Sequence, residues 1–197
     1  MKIKSQLEPI LEKWNLLKHP FYQAWSAGTL PVEALKVYAR EYGAFIGTLA
    51  DGWTTLNDIE TAHEEREHAE LWDKFAGALE TRVAAPQIEE TQSLVWTAGE
   101  LFARPAAALG AMYAFEVQQP ATAQSKLDGL QTHYSLPAEV EPYFRVHSAN
   151  WHESEKILAA LEKLSPGDQV EAQAACERMA ESLWNALTGI HNKTCVN

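Results

Sequence analysis

Between Pro105 and Phe115 the chain reads Pro-Ala-Ala-Ala-Leu-Gly-Ala-Met-Tyr-Ala-Phe, with no ionisable carboxyl, and the next residue is Glu116. A helix of that composition has no polar face to offer water, so it belongs inside the protein with other helices around it. Ala106 to Phe115 is also too short to cross a bilayer. A carboxylate on such a helix loses its hydration and needs a cation, a metal or strong donors in exchange. A protonated, hydrogen-bonded core glutamate is the alternative. Two histidine-bearing segments, around His68 and His147, favour the metal.

The rest of the chain supplies the surrounding helices. Leu7, Ile10, Leu11, Trp14 and Leu17 recur at helical spacing up to Lys18-His19-Pro20. Phe21 to Trp25 form a short segment before Gly28. Thr29-Leu-Pro-Val-Glu33 opens a helix, with Pro31 suited to its first turn, whose buried face runs through Leu35, Tyr38, Tyr42, Phe45, Leu49 and Trp53. Further helices are predicted over about Asn57 to Leu79, Glu89 to Ala103, Pro105 onward with a kink at Pro120 and a segment to Leu130, Tyr143 to Leu164, and Gln169 to Gly189. Strand signals are nearly absent, and there is no repeat, linker or low-complexity stretch. The expectation is a single all-α domain over residues 1–197, a bundle of about seven or eight helices.

Charge and cysteines narrow the function classes. A net charge of −11, with Lys and Arg scattered rather than striped, argues against nucleic acid as a partner. Cys176 and Cys195 form neither a disulfide framework nor a zinc knuckle and read as free thiols of a reducing compartment. The opening Met-Lys-Ile-Lys-Ser-Gln-Leu-Glu has no apolar signal core, so the expected location is cytoplasmic, without a membrane partner.

Two clusters carry metal-compatible side chains. In Glu60-Thr-Ala-His-Glu-Glu-Arg-Glu-His-Ala-Glu-Leu-Trp72, Glu64 and His68 share a helical face with Leu71, Trp72 and Phe75, which points His68 inward and makes Glu64 the leading carboxylate. Glu65 and His68 also form Glu-x-x-His, a spacing used by diiron bundles, although five Glu in eleven residues weaken that signal. His63 is a lesser candidate, and most of the run is a solvated acidic face. In Tyr143-Phe-Arg-Val-His-Ser-Ala-Asn-Trp-His-Glu153, His147 falls between Phe144 and Trp151 on the buried side. His152 is rotated off that face and needs a helix distortion to join it. Inward His68, His147 and Glu116 on three helices suit non-haem iron with open positions, with manganese or zinc as alternatives.

The same residues fall into a larger pattern. Leu17-Lys-His-Pro-Phe-Tyr-Gln-Ala-Trp-Ser-Ala-Gly-Thr-Leu30 is followed by Leu35-x-x-Tyr-Ala-Arg-Glu-Tyr42. Glu67-His-Ala-Glu-Leu-Trp-Asp-Lys-Phe-Ala-Gly-Ala-Leu79, Leu109-Gly-Ala-Met-Tyr-Ala-Phe-Glu-Val-Gln-Gln-Pro120 and Tyr143-Phe-x-x-His147 continue in order. Over about residues 9–163 this resembles the TenA/haem-oxygenase-like fold. Within it, the chain is most similar to the haem-oxygenase-like diiron oxidases, on the branch of the chlamydia protein associating with death domains (CADD).

The resemblance implies a seven-helix fold and an iron site, of one or two ions, that activates dioxygen for a small organic substrate. His68, Glu116 and His147 match family ligand positions. It also implies catalytic roles for Tyr22 and Lys126, which match a tyrosine and a lysine used in a self-sacrificing synthesis of para-aminobenzoate. On the residues alone Tyr22 is a packed aromatic and Lys126 a surface cation. Exposed apolar residues on the terminal helices would favour a homodimer, as in relatives with this fold. The chain departs from the family where a Glu is expected at Thr61 and an Asp and a His at Trp151 and Ser154; a two-residue shift aligns Asn150 and His152 instead. Those departures leave a second reading, a metal-poor, non-enzymatic protein that binds a small ligand.

Overall fold

The computed structural model describes residues 3–195, and every regular element among them is helical. In chain order the α-helices are α1 (Ile3–Lys13), α2 (Pro20–Ser26), α3 (Val32–Ile46), α4 (Leu49–Thr55), α5 (Ile59–Ala78) and α6 (Glu89–Phe102). They continue with α7 (Pro105–Glu116), α8 (Gln119–His133), α9 (Pro142–Ser148), α10 (His152–Leu161) and α11 (Pro166–Cys195). The expected number of about seven or eight rods becomes eleven segments because three rods are broken. The α3–α4 rod breaks at Gly47–Thr48, the α7–α8 rod at Val117–Gln118, and the expected helix Tyr143 to Leu164 between Ser148 and His152. Pro120 occupies the first turn of α8, where its missing N–H costs nothing. Pro31 precedes α3 as its N-cap instead of entering its first turn.

The apolar α7 lies at the centre, with Ala106 through Glu116 all buried. It packs on α11, α10, α6 and α4. The approach to α11 is backbone to backbone: a Cβ on Gly110 would stand 1.8 Å from the Ala172 carbonyl oxygen, so only glycine fits there. Proline at the first turn starts α2, α7 and α9. The start of α6 is held from outside by Glu41, a fully buried carboxylate that accepts from the Gln87 N–H (2.8 Å), the Ile88 N–H (3.0 Å) and the Thr91 hydroxyl (2.9 Å). These donors keep its pKa low against the opposing effect of burial. Around α7, α3, α5 and α9 bring Tyr38, Tyr42, Trp72, Phe75, Tyr143 and Phe144 into one aromatic core.

Candidate metal centre

The buried stripe of α5 runs through Thr61, Glu65, Trp72 and Phe75, so Glu65 faces inward. Its Oε1 lies 2.8 Å from Nδ1 of the half-buried His68. His147 enters from α9, which Tyr143 and Phe144 pin to the core. The His147 Nδ1–H donates to the Tyr143 carbonyl at 2.8 Å, which leaves Nε2 as the free lone pair, turned away from its own backbone. The His68 and His147 rings stand 4.5 Å apart. Ligand atoms of Glu65, His68 and His147 lie within 4.8 Å of one another, the spread one bound cation requires.

Two further carboxylates reach this group. Glu116 ends α7 and is fully buried, with Glu153 of α10 and Glu65 of α5 as its charged neighbours. Glu153 is inward because Glu153, Ile157 and Leu161 form the buried i, i+4, i+8 stripe of α10. The interruption between Ser148 and His152 sets that phase. Buried atoms left without a hydrogen-bond partner gather at this point: Glu65 Oε2, Glu116 Oε1, His147 Nε2 and both oxygens of Glu153. The Asn150 amide oxygen, beside Glu153, is unsatisfied as well. Unsatisfied acceptors at one locus, mostly carboxylate and imidazole, fit a divalent metal and fit an apolar core poorly.

The protonation directions agree with that fit. Burial, then Glu153 and Glu65, raise Glu116 well above the ordinary carboxylate range, against the Trp53 indole, which acts in the other direction. Glu153 is raised by burial and by Glu65. Without a cation the pair retains a proton that a cation would displace. Burial drops His147 to about 4, so its imidazole is neutral and ready to donate a lone pair. Burial also pushes His68 down, but Glu65, Glu153 and Glu64 outweigh it and its net shift is upward.

Glu64 and His152 come together, in a group that includes neither His68 nor His147. They form a second group with Glu153, again with ligand atoms within 4.8 Å, and line a surface pocket with His68 and Asn150. Glu64 is absent from the buried face of α5, and Glu65, not Glu64, is the carboxylate on His68. Glu116 belongs to neither triad and couples to Glu153 and Glu65. At Thr61 the hydroxyl accepts from Lys156 Nζ (3.1 Å), which also pairs with Asp58, the N-cap of α5. His63 is exposed beside Glu67. Glu153 was missed in sequence because a continuous helix from Tyr143 gives it the wrong phase; its spacing to Ile157 and Leu161 was the available signal.

On the far side of the aromatic core lies a second polar cluster. Lys126 of α8 is 3% exposed, which overturns its reading as a surface cation. Its Nζ donates to the Tyr22 hydroxyl (3.2 Å) and the Tyr38 hydroxyl (3.3 Å), and those two hydroxyls are 3.0 Å apart. Nζ also stands 4.6 Å from the Tyr22 ring centroid. Burial lowers the Lys126 pKa to about 7, so the neutral amine is populated near neutral pH. Burial raises Tyr22, although Tyr38 and Tyr42 pull the other way. Rings in mutual contact link the two clusters: Tyr22–Tyr38 at 6.2 Å, Tyr38–Trp72 at 5.4 Å, Trp72–Tyr143 at 4.7 Å and Tyr143–His147 at 4.2 Å between centroids.

Comparison with known proteins adds three findings. Residues 37–184 match a family described as iron-containing redox enzymes. A 4-aminobenzoate synthase of Nitrosomonas europaea is 34% identical, over 98% of this chain and 93% of the relative. One of Chlamydia pneumoniae is 29% identical, over 95% and 94%. Among solved structures, a TenA homologue from Pseudomonas syringae superposes with a TM-score of 0.75 at 17% identity, covering 95% of this chain and 92% of the other. A CADD-like protein from Nostoc punctiforme superposes at 0.69 with 18% identity, covering 98% and 94%. No helix among the described residues is long and apolar enough to cross a membrane.

Proposed function

The chain belongs to the haem-oxygenase-like family of iron-containing redox enzymes, and from that premise we propose that it makes 4-aminobenzoate out of its own Tyr22 and Lys126. The observation that carries this reading is the amine of Lys126, buried with no carboxylate partner among the described residues and held 3.2 Å from the Tyr22 hydroxyl above the ring face. The product is a six-carbon ring with a carboxyl carbon and, para to it, a nitrogen. The Tyr22 ring and Cβ match that skeleton, and the hydroxyl marks the carbon where nitrogen must replace oxygen. Lys126 is the amine at that carbon. Conversion joins Nζ to that ring carbon as the hydroxyl oxygen leaves as water, and breaks the Lys126 Nζ–Cε bond, leaving Cε as an aldehyde carbon. It also breaks the Tyr22 Cα–Cβ bond and oxidises Cβ to a carboxylate, with dioxygen as the electron acceptor.

Each group has a physical task. Burial keeps Lys126 partly neutral, so its nitrogen has a lone pair to give at neutral pH. Tyr38 holds both reacting groups through its hydroxyl. The ring series through Tyr38, Trp72 and Tyr143 joins Tyr22 to His147 and lets electrons pass between them. Glu65, His68, His147, Glu116 and Glu153 would hold iron, which supplies the redox reactivity with dioxygen. Five inward donors, three of them carboxylates that can each span two cations, suit one ion and leave room for a second.

The test is isotopic. Protein grown on [15N]lysine and ring-[13C]tyrosine, loaded with ferrous iron without oxygen and then aerated, is expected to release doubly labelled 4-aminobenzoate, at most one per chain. The Tyr22 and Lys126 peptides should change mass, and Tyr22→Phe or Lys126→Met should release none. Several products per chain, or product without label, would refute the sacrificial reading.

A further inference from the structure

The donors of the metal centre continue outward, beyond the buried group. Glu64 and His152 stand at the surface, with ligand atoms within 4.8 Å of those of Glu153. They line a pocket with His68 and Asn150, so one open depression touches a member of the buried triad and both outer donors. Glu153 belongs to both neighbourhoods. It is 1% exposed, neither of its oxygens makes a hydrogen bond of good geometry, and Glu65, Asn150, Glu116 and His68 are its polar neighbours. A pair of exposed acidic and imidazole groups alone would read as solvated surface; the unpaired buried carboxylate shared between the groups is what they do not explain.

We infer that Glu64, His152 and Glu153 form an outer divalent-cation site through which the metal is loaded into the buried centre. The inference rests on the assignment of the inner donors above. A hydrated cation exchanges water for Glu64 and His152 at the surface and takes one oxygen of Glu153 as its third ligand. It then moves inward as Glu153 passes it to Glu116, Glu65, His68 and His147 while the outer ligands let go. No bond in the protein is made or broken and no electron moves, and the displaced waters and the proton of the buried carboxyl pair return to solvent. The direction follows from donor number. The outer site offers three protein ligands and open water, the inner one five ligands in a medium that strengthens their attraction for a cation. A chain charge of −11 favours cation approach to such a mouth.

Cobalt(II) reports both stages without turnover, because its visible absorption depends on its ligand set. Apo protein mixed with one equivalent of cobalt(II) is followed in a stopped-flow instrument for wild type, for Glu64→Gln with His152→Gln, and for Glu116→Gln. The double variant is expected to reach the wild-type final spectrum about tenfold more slowly, and added salt should slow the wild type more than the variant. An unchanged loading rate would overturn the inference. So would a changed final spectrum in the double variant, since Glu64 and His152 would then be permanent ligands. The Glu116→Gln arm reads the inner assignment separately: its final spectrum should differ from wild type, and if it does not, the inner centre is misassigned whatever the loading rates.

Discussion

Replacing Lys126 with methionine should make the metal-free protein more stable near neutrality and less so, relative to wild type, as the solution becomes alkaline. The side chain lies at full burial and its pKa falls from the ordinary 10.5 to about 7. A depressed pKa means that the unfolded chain binds the extra proton between those values, so wild-type stability rises with pH across that window. Linkage puts the penalty at roughly 4–5 kcal/mol at pH 6.5 and roughly 1–2 kcal/mol at pH 9.5. Methionine removes it but also deletes the bonds to Tyr22 and Tyr38, worth about 1 kcal/mol each. The variant should therefore gain about 2–3 kcal/mol at pH 6.5, and the difference should fall by about 3 kcal/mol by pH 9.5, to near zero or slightly negative. Urea unfolding of both apo proteins across that range, with the two slopes compared, measures it. A difference that does not change with pH would mean that Lys126 is solvated in the folded state, and the neutral amine required for attack on Tyr22 would be lost with it.

Three other outcomes follow from the packing and the centre. Manganous or ferrous ion at about a hundredfold excess over its Kd should stabilise the wild type by about 2.7 kcal/mol, or about 5–10 °C in Tm for a chain of this size. Glu116→Gln should lose most of that shift, and equal shifts in the two proteins would remove Glu116 from the ligands. In the apo state Glu116 supports the fold fully below the ordinary carboxylate pKa of 4.5 and loses that support as pH rises through its elevated folded value, a dependence the Gln variant should lack. Gly110→Ala places a methyl 1.8 Å from the Ala172 carbonyl oxygen, on two helices that cannot part cheaply. It should cost more than about 3 kcal/mol in urea unfolding, and a loss under about 0.5 kcal/mol would show that α7 and α11 slide freely.

The central helix was legible because its composition leaves a single option. Eleven successive buried residues from Ala106 to Glu116 follow directly from an apolar run with one carboxylate. The inward turn of His147 was equally legible from its spacing to Phe144. The carboxylate beside His68 was harder, since Glu64 and Glu65 both sit near the apolar face and differ by one step of rotation. The choice depends on how α5 rolls against α3 and α9, and that roll is tertiary. Glu153 was hidden by the break before it, and the burial of Lys126 by the habit of placing lysine in water; the family resemblance alone singled that lysine out. Yet Ala123, Lys126, Leu127 and Leu130 already make a buried stripe on α8. Backbone breaks and helix roll decide which side chains face inward, and neither is written in any single residue.

The interruption between α9 and α10 has a consequence for how such centres vary. In an unbroken helix each added or removed residue turns everything downstream by about 100°. Here His147 is fixed by α9, and α10 restarts at His152 on its own axis phase. The number of residues in the gap then chooses which side chain of α10 meets Glu116, with His147 left in place. Length, not substitution, becomes the unit of change at this edge of the site. Sequences matched column by column past His147 will assign the wrong donor whenever their gaps differ, even where the folded centres contain the same chemistry. An engineer could exploit the same property by trimming or padding residues 149–151, presenting a different side chain to Glu116 while the apolar core stays as it is.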